Sequence, residues 1–400
     1  MNVTNSVIHH NDSHPTIQTN VCQFTDFEFI CWFYVNTIIC LVGFLLNIIN
    51  IAVFAQKFFS ATVYTYMSAI SFTDAFKLLL MSPIGLLRCA GHLENCNDPK
   101  FRQFRFYAYY FNNYFGHGMA NSAETASAWL TVLVSIERYM AMKFPIQALT
   151  YCRHSSGRMH VIIIILLSVA FNAPLFFTTR CSRKNVTTET GEEKEILVTF
   201  YTAFGKSTDY DIFTWFRFVL VQIIPLIALC IFNSLLLTVV SESYRKLRRN
   251  EAIKTASSMQ QELKEISHDG ARDIPNCNKP QRTAKQLQIE RRQRAQTKLT
   301  LMQICVIFLF LIGQIPQAFS FEKIANVIMP EWCGKCCKLR IYYQVISILL
   351  SQIGFSLPFF IYFGLNRHFR KILLTCCKSK SVEQCASRYS RATLFESRVY

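Results

Sequence analysis

Seven long runs of apolar residues alternate with polar segments along the 400-residue chain. Each run is close to the ~20 residues that a helix needs to cross about 30 Å of hydrocarbon. We predict a helix for each run, because a helix satisfies all of its backbone hydrogen bonds within its own segment. The predicted spans are Phe29–Phe54, Thr65–Leu87, Phe111–Ala141, Met159–Phe177, Ile212–Val240, Leu299–Ile324 and Ile341–Phe363.

The third span is the weakest of the seven by hydropathy. It contains Asn112, Asn113, His117, Asn121 and Glu124. Polar side chains inside a spanning helix must face the interior of a bundle rather than lipid. The third helix is therefore predicted to be central.

Basic residues predict the orientation of the chain in the membrane. Lys and Arg are concentrated in the segment 244–298 and in the tail 364–400, so both are predicted to be cytoplasmic. An odd number of spans then places the N-terminus outside the cell. This divides the chain into an extracellular segment 1–28, a membrane domain 29–363 and a cytoplasmic tail, and the polar loop between the fifth and sixth spans is expected to extend its flanking helices.

Three glycosylation sequons agree with this orientation. They begin at Asn2, Asn11 and Asn185, all in segments predicted to be extracellular, although such triplets also occur by chance. Residues 1–30 contain no Lys or Arg and no apolar core long enough for a cleavable signal peptide. The plasma membrane is therefore the expected location.

Composition excludes several other classes of protein. Charged residues make up 17% of the chain, against about 25% in a soluble domain, and 51% of the residues are hydrophobic. The net charge of +17 is concentrated between the apolar runs, so we predict no nucleic-acid partner. No metal cluster, cofactor motif or catalytic motif is recognised, so an enzyme is not expected. A transporter is a weaker alternative, because no inverted repeat is visible.

A charged triplet, Glu137-Arg138-Tyr139, lies at the inner end of the third span, shortly before Pro145. It resembles the signature of rhodopsin-like G-protein-coupled receptors. At a helix end, Arg138 can pair with Glu137 and be released when a partner protein enters. The other spans carry landmarks of the same family in the same order. These are Gly43 with Asn47, Asp74 with Pro83, Pro225, Phe310 with Pro316, and the stretch from Pro358 to Tyr362.

The resemblance implies an all-α membrane protein, a seven-transmembrane helix bundle with a short amphipathic eighth helix. That last helix would begin at Asn366, with Cys376 and Cys377 as palmitoylation sites. The implied activity is that of a cell-surface receptor that binds an extracellular ligand and activates a heterotrimeric G protein, with arrestin as a further partner and with no cofactor.

The family's functional residues have counterparts at matching positions of this chain. Glu137, Arg138, Tyr139 and Tyr362 would contact the G protein. Asp74 and Ser127 would form an ion-linked pocket, with a purely structural polar contact as the alternative.

Several departures from the family pattern weaken individual assignments. Gln314 replaces the usual Trp of the sixth helix, and Asn113 replaces the Cys that normally ties the third helix to the second outer loop. Cys181 is still present in that loop and could pair with Cys96 or Cys89, a choice the sequence leaves open. Three further cysteines, Cys333, Cys336 and Cys337, suggest disulfides, with Cys22 as one available partner and zinc as the alternative.

Two ligand classes are disfavoured by single residues. Ala120 occupies the position of the amine-binding Asp, and Gln352 that of the opsin Lys. The surroundings of Pro225 and Pro316 instead resemble invertebrate neuropeptide receptors of the FMRFamide-like type, so a peptide ligand is predicted. A non-peptide ligand of a chemosensory or orphan receptor is the alternative. The predicted ligand contacts are Glu124, Asn121, His117, Gln314, Gln317 and Glu322.

The partner of Glu124 is the least determined feature of the predicted site. Glu124 lies fourteen residues before Arg138, about 21 Å further out along the helix. A carboxylate at that depth must be neutral or paired. One interpretation pairs it with a cationic ligand, which Asp209, Asp211 and Glu322 at the mouth would also attract. The other pairs it with Lys77, one helical turn outward from Asp74.

Overall fold

The computed structural model describes residues 25–56, 58–59, 61–87, 98–144, 147, 154–187, 193–266, 284–328 and 337–378. In these ranges the chain forms seven long helices and one shorter amphipathic helix, and a β-hairpin lies between the fourth and fifth helices. The helices are α1 (Asp26–Phe54), α2 (Thr62–Met81), α3 (residues 99–143), α4 (His154–Asn172), α5 (residues 208–266), α6 (Ala284–Phe319), α7 (residues 338–365) and α8 (Arg367–Lys378). Each of the seven predicted helices is present.

The helix ends differ from the apolar runs where local chemistry intervenes. α1 begins three residues early, because Thr25 and Glu28 form a capping box in which each side chain accepts a hydrogen bond from the other residue's backbone N–H. α2 ends before Pro83, which lacks a backbone N–H, and a separate turn, Ile84–Leu87, follows. α5 and α6 continue beyond their apolar runs into polar sequence, as predicted for the ends of the loop between them.

Three of the long helices contain π-helical segments: Ile30–Asn36 in α1, Asn112–Gly116 in α3 and Val219–Ile223 in α5. The segment in α5 ends directly before Ile224-Pro225. Because proline donates no backbone hydrogen bond and crowds the preceding turn, a wider turn accommodates it. α6 contains Pro316 in its last turn, and the Tyr343 hydroxyl of α7 donates to the Pro316 carbonyl at 3.0 Å.

Five of the described helices are long and apolar enough to cross a membrane by length and composition alone: α1, α4, α5, α6 and α7. α2 and α3 fall short of that measure, and both carry buried charged residues, including Asp74 and Lys77 on α2 and Glu124 on α3. Lipid contacts only the outside of a bundle, so a helix that is surrounded by others tolerates such residues.

α3 is the central helix of the bundle, in agreement with the sequence prediction. It packs against α2, α4, α5 and α6. Its buried residues are mostly small, which lets neighbouring helices approach closely. They include Ala120, Ala123, Ala126, Ser122, Ser127 and Thr131.

The pairing of Gly43 and Asn47 on α1 has a structural reason. The α-carbon of Gly43 lies so close to Ser356 of α7 that any side chain there would collide with the serine. One turn later, Asn47 Nδ2 donates to the carbonyl oxygens of Gly43 at 2.9 Å and of Phe355 at 3.0 Å. The two residues therefore hold α1 directly against α7.

A β-hairpin connects α4 to α5. Its strands are β1 (Thr179–Thr187) and β2 (Glu193–Tyr201), antiparallel, with Cys181 opposite Thr199. Two tyrosines near the start of α3 hold it. Tyr114 accepts a hydrogen bond from the Cys181 backbone N–H at 3.1 Å, and the hydroxyls of Tyr109 and Thr199 share one of 2.5 Å. We refer to this side of the bundle as the hairpin end.

α8 lies at the opposite side of the bundle, which we call the helix-8 end. Asn366 Oδ1 caps it by accepting hydrogen bonds from the backbone N–H groups of His368 and Phe369. Phe369 and Ile372 are fully buried, and the Phe369 ring packs 5.5 Å from that of Phe54 on α1. The apolar face of α8 therefore closes the bundle at this end.

The cysteines require one correction to the predicted pattern. Cys181 is a free thiol in the structure, whereas the sequence predicted that it would pair with Cys96 or Cys89. The hairpin does bring Cys181 to the start of α3, but the helix carries Asn113 where the usual cysteine partner would be, and the Cys181 sulfur instead lies 3.9 Å from Thr199 Oγ1. Cys337 is disulfide-bonded, as expected for the second group of cysteines. Cys89, Cys96, Cys333 and Cys336 lie outside the described residues.

Candidate functional site

Charged residues from α2 and α3 meet in the middle of the bundle. Lys77 Nζ lies 3.3 Å from Glu124 Oε2, and their side chains are only 3% and 6% exposed. One turn away, Ser127 Oγ donates to Asp74 Oδ1 at 2.6 Å. We call these four residues the buried charge cluster.

The buried charge cluster also involves α7. The Lys77 ammonium lies 3.9 Å from the centre of the Phe355 ring, a cation–π contact. The ammonium is thus held between a carboxylate and an aromatic face, and it joins α2, α3 and α7. Burying either charge alone would cost free energy of folding. The pairing lowers that cost, which explains why both charged side chains can lie at membrane depth.

Of the two interpretations offered for Glu124, the pairing with Lys77 is the one that the geometry favours. Its second carboxylate oxygen, Oε1, has no hydrogen-bond partner among the described residues. Glu124 also lines a cavity of about 10 Å³ together with Gln222, Pro225 and Gln314. That volume is roughly the space of one water molecule, so a direct ligand contact by Glu124 stays a prediction.

Arg217 is a buried charged residue in the hairpin half of the bundle that was not among the predicted site residues. It lies on α5 inside an apolar run and is 8% exposed. Arg217 Nε donates to Asn172 Oδ1 of α4 at 3.0 Å, and its guanidinium also donates to Asn121 Oδ1 of α3. The available signal was the charge itself, since an ionisable residue within a span indicates a functional site by default.

The amides around Arg217 are held in one orientation by their own hydrogen bonds. Asn172 Nδ2 donates to Thr125 Oγ1 at 3.0 Å and to the Ser168 carbonyl at 2.8 Å. Asn121 Nδ2 donates to the His117 carbonyl at 2.7 Å. Because the N–H groups are engaged elsewhere, both side-chain oxygens are left to face the guanidinium. We call Arg217, Asn121 and Asn172, with the neighbouring His117, the arginine site.

The Glu137-Arg138-Tyr139 triplet lies at the helix-8 end of α3. Arg138 Nε donates to Glu137 Oε2 at 2.9 Å, and Arg138 Nη2 donates to Glu137 Oε1 at 2.7 Å. This two-point ion pair is buried, with both residues less than a tenth exposed. Tyr139 contacts Phe232 of α5, with ring centres 6.3 Å apart, so the triplet is in contact with the helix that extends furthest at this end.

Tyr362 of α7 is close to the same end but is not part of the ion pair. It is 1% exposed, and its ring lies 5.1 Å from that of Phe54 and 6.0 Å from that of Phe369. The structure therefore places Tyr362 in the aromatic packing between α1, α7 and α8. A role in G-protein coupling stays a prediction for it.

The remaining predicted ligand contacts are distributed between α6 and the loop that follows it. Gln314 is buried and donates from Nε2 to Ser351 Oγ of α7 at 3.1 Å. The side-chain oxygen of Gln317 is buried without a hydrogen-bond partner among the described residues. Glu322 starts the short helix Glu322–Ile328, and its side chain lies outside the described part of the structure.

Two acidic residues predicted at the mouth have a structural explanation. Asp209 and Asp211 lie in the first turn of α5, where negative charges interact favourably with the helix dipole. Ser207 caps the same helix, its hydroxyl oxygen accepting from the Tyr210 N–H. The helix dipole is therefore sufficient to explain the positions of Asp209 and Asp211, without a basic ligand.

The predicted modification sites lie wholly or partly outside the described residues. Asn2 and Asn11 lie outside the described residues. Asn185 lies in β1, and Cys376 and Cys377 lie in the last turn of α8. Only the backbone of these three residues belongs to the described part of the structure. All of these assignments stay predictions.

The chain is similar to known receptors over most of the described bundle. The family model "Serpentine type 7TM GPCR chemoreceptor Srw" matches residues 34–265. A probable G-protein-coupled receptor of Caenorhabditis elegans is 26% identical over 210 residues, 51% of this chain and 45% of that protein. The FMRFamide receptor of Drosophila melanogaster is 24% identical over 242 residues, 59% of this chain and 41% of that protein. The chain thus spans less than half the length of each of these two relatives.

Proposed function

Because the chain belongs to the Srw family of serpentine seven-transmembrane chemoreceptors, we propose that it is a rhodopsin-like receptor that activates a heterotrimeric G protein. The ligand enters at the hairpin end, and the G protein binds at the helix-8 end. The family consists of receptors rather than enzymes, in keeping with the lack of a catalytic motif in the sequence.

The buried ion pair of Glu137 with Arg138 is the observation that carries this proposal. A doubly hydrogen-bonded ion pair at a helix end is strong while intact, yet it can open when a partner supplies new contacts. Glu137, Arg138 and Tyr139 form the contact surface for the G protein, with Tyr362 as a packing element beside it. Arrestin would use the same surface.

α3 connects this end to the proposed ligand site. Asn121, in the arginine site, lies seventeen residues before Arg138, about 26 Å along the helix. The buried charge cluster lies between them and joins α3 to α2 and α7. A ligand that shifts α3 at the hairpin end would therefore disturb contacts along the whole helix, which is the coupling that a receptor requires.

The orientation follows from the charges of the loops. We propose that residues 1–28, with Asn2 and Asn11, and the hairpin, with Asn185, face the outside of the plasma membrane. The segment 244–298 and the tail 364–400 face the cytoplasm, and palmitoyl chains on Cys376 and Cys377 would anchor α8 to the bilayer. The ion-linked role of Asp74 and Ser127 is part of the same proposal.

A peptide is the first candidate for the ligand. It is supported by the similarity to the Drosophila FMRFamide receptor and by the hairpin at the proposed ligand end. The predicted contacts are His117, Asn121, Glu124, Gln314, Gln317 and Glu322. A non-peptide chemical signal is the second candidate, supported by the description of the matching family as chemoreceptors.

Nucleotide exchange on a purified G protein, added to membranes that contain the receptor, tests the proposal. The receptor should raise the exchange rate above that of mock membranes when an active peptide is present, from a library that holds each sequence both as the C-terminal acid and as the C-terminal amide. Arg138→Ala should abolish the increase while the receptor still reaches the cell surface. A transporter would produce no exchange with any ligand, so the absence of exchange from a correctly folded receptor would contradict the proposal.

A further inference from the structure

We propose that Arg217 recognises the ligand and that the ligand presents an anionic group, a carboxylate, to it. This inference rests on the proposed receptor function and deepens it by naming the chemistry of the ligand. It reverses the charge that the sequence alone suggested, since Glu124 and the acidic residues at the mouth were expected to attract a basic ligand.

The pairing of the buried charges is the first argument. Lys77 and Glu124 compensate each other at 3.3 Å, and Asp74 is held by the Ser127 hydroxyl at 2.6 Å. Arg217 has no carboxylate oxygen within 4.0 Å in the described part of the chain. Glu124 attracts Arg217 only from beyond that distance. Arg217 is thus a buried cation whose direct hydrogen-bond partners among the described residues are neutral.

The hydrogen-bonding capacity of the guanidinium is the second argument. Arginine carries five N–H donors, and the described partners of Arg217 are two amide oxygens, of Asn172 and Asn121. Donors therefore remain for a further acceptor. A carboxylate is the acceptor that matches them best, because its two oxygens can take two parallel N–H bonds from one guanidinium.

The arrangement around Arg217 is that of a prepared site. Both amides are fixed by hydrogen bonds to Thr125, Ser168 and His117, so the guanidinium is oriented before any ligand arrives. The Phe321 ring, which carries no charge, lies 5.8 Å from Arg217 Cζ. Preorganisation of this kind reduces the entropy that binding must overcome.

Arg217 lies in the half of the bundle where we propose that the ligand binds. It is the tenth residue of α5, about 14 Å from the start of that helix at the hairpin end. Residues of α3, α4 and α5 and the segment after α6 converge on it, so it lies between helices, a common place for a ligand in a helical bundle. A peptide C-terminal carboxylate and a small organic acid would both fit this chemistry.

Matched ligands distinguish the two sources of the carboxylate. A set of peptides is prepared in pairs, each sequence once with a free C-terminal acid and once as the C-terminal amide, together with a panel of small carboxylic acids. Nucleotide exchange is measured for the wild type, Arg217→Gln and Arg217→Lys. Active compounds should be acids. Arg217→Gln should lower their potency at least tenfold, and Arg217→Lys should restore part of it, because lysine keeps the charge but not the paired donors.

Thermal stability of the ligand-free receptor separates recognition from a structural role. A cation kept for folding would make Arg217→Gln less stable than the wild type. A cation kept for the ligand is only partly compensated in the empty receptor, so Arg217→Gln should unfold at the same temperature or higher. Arg158→Gln, at an exposed position on α4, serves as the matched control.

Four outcomes would overturn the inference: amides active as strongly as acids, acids equally potent on Arg217→Gln, a ligand-free Arg217→Gln receptor that unfolds below the wild type, or no response to any acid from a receptor that has basal exchange dependent on Arg138. The last outcome leaves the receptor function intact. Loss of all exchange from a folded receptor, with or without ligand, contradicts the proposed function itself.

Discussion

Lys77 of α2 and Glu124 of α3 form an ion pair inside the bundle, with 3.3 Å between Nζ and Oε2. The Phe355 ring of α7 covers the ammonium from the other side. The two charges therefore compensate each other inside the bundle. Arg217, whose direct hydrogen-bond partners are neutral amides, is the charge that we propose for the ligand.

Removing one partner of this pair should destabilise the receptor more than removing both. Glu124→Gln leaves the Lys77 ammonium buried without its direct counter-charge, which costs about 3–5 kcal/mol. Lys77→Met in the same protein should recover much of that loss, because neither charge is then buried. The measurement is the unfolding temperature of the purified receptor. Glu242→Gln, which changes an exposed carboxylate on α5, is the control and should be close to neutral. A Glu124→Gln receptor as stable as this control would contradict the role of the pair.

The ion pair at the helix-8 end should control coupling. Arg138→Ala should leave expression and ligand binding largely intact while ligand-stimulated nucleotide exchange falls to background. Glu137→Gln should have the opposite effect on resting activity, because it frees the arginine without a ligand. Both effects are read from exchange on a purified G protein with and without an active ligand. Unchanged signalling from Arg138→Ala would exclude this residue from coupling.

Measurable activity is expected from the receptor without ligand. The inner end of the sixth helix, residues 294–298, contains no acidic residue that could lock Arg138 to α6. Closure between these helices then depends on neutral contacts of about 1 kcal/mol each. Exchange in membranes with the receptor should exceed that in mock membranes, and Arg138→Ala should remove the excess. Equal rates in receptor and mock membranes would show that another contact locks the resting state.

The free thiol of Cys181 should react slowly and with a strong dependence on pH. Burial raises the pKa of the Cys181 thiol, and its contact with the Thr199 hydroxyl opposes this in part. Only the thiolate reacts, so little of it is present at neutral pH, and the rate of alkylation should rise roughly tenfold per pH unit below the pKa. Thr199→Val removes the contact that lowers the pKa and should slow the reaction at a given pH.

Mass spectrometry of the peptide that contains Cys181 provides this measurement. The comparison also tests the correction to the disulfide pattern. If Cys181 were bonded to Cys96, it would not react at any pH until the protein was reduced. Labelling that appears only after reduction would therefore restore the disulfide predicted from the sequence.

The sequence was sufficient for the seven helices and the central place of α3. In lipid, backbone hydrogen bonds must close within each span, so a run of about 20 apolar residues has essentially one available conformation. The residues His117 and Glu124 also indicated that α3 faces other helices rather than lipid. These features depend on the local composition of the chain and on the surrounding lipid, and both can be inferred from the sequence.

Only the tertiary structure decided which charged residues pair. Lys77 and Glu124 are 47 positions apart, and Asn121 and Arg217 are 96 positions apart. A helical pattern shows which face a side chain occupies, but pairing requires two helices to match in depth and in rotation. That match is set by packing, for example by the contact of Gly43 with Ser356. For the same reason the free thiol of Cys181 and the amide partners of Arg217 emerged only when the helices were assembled.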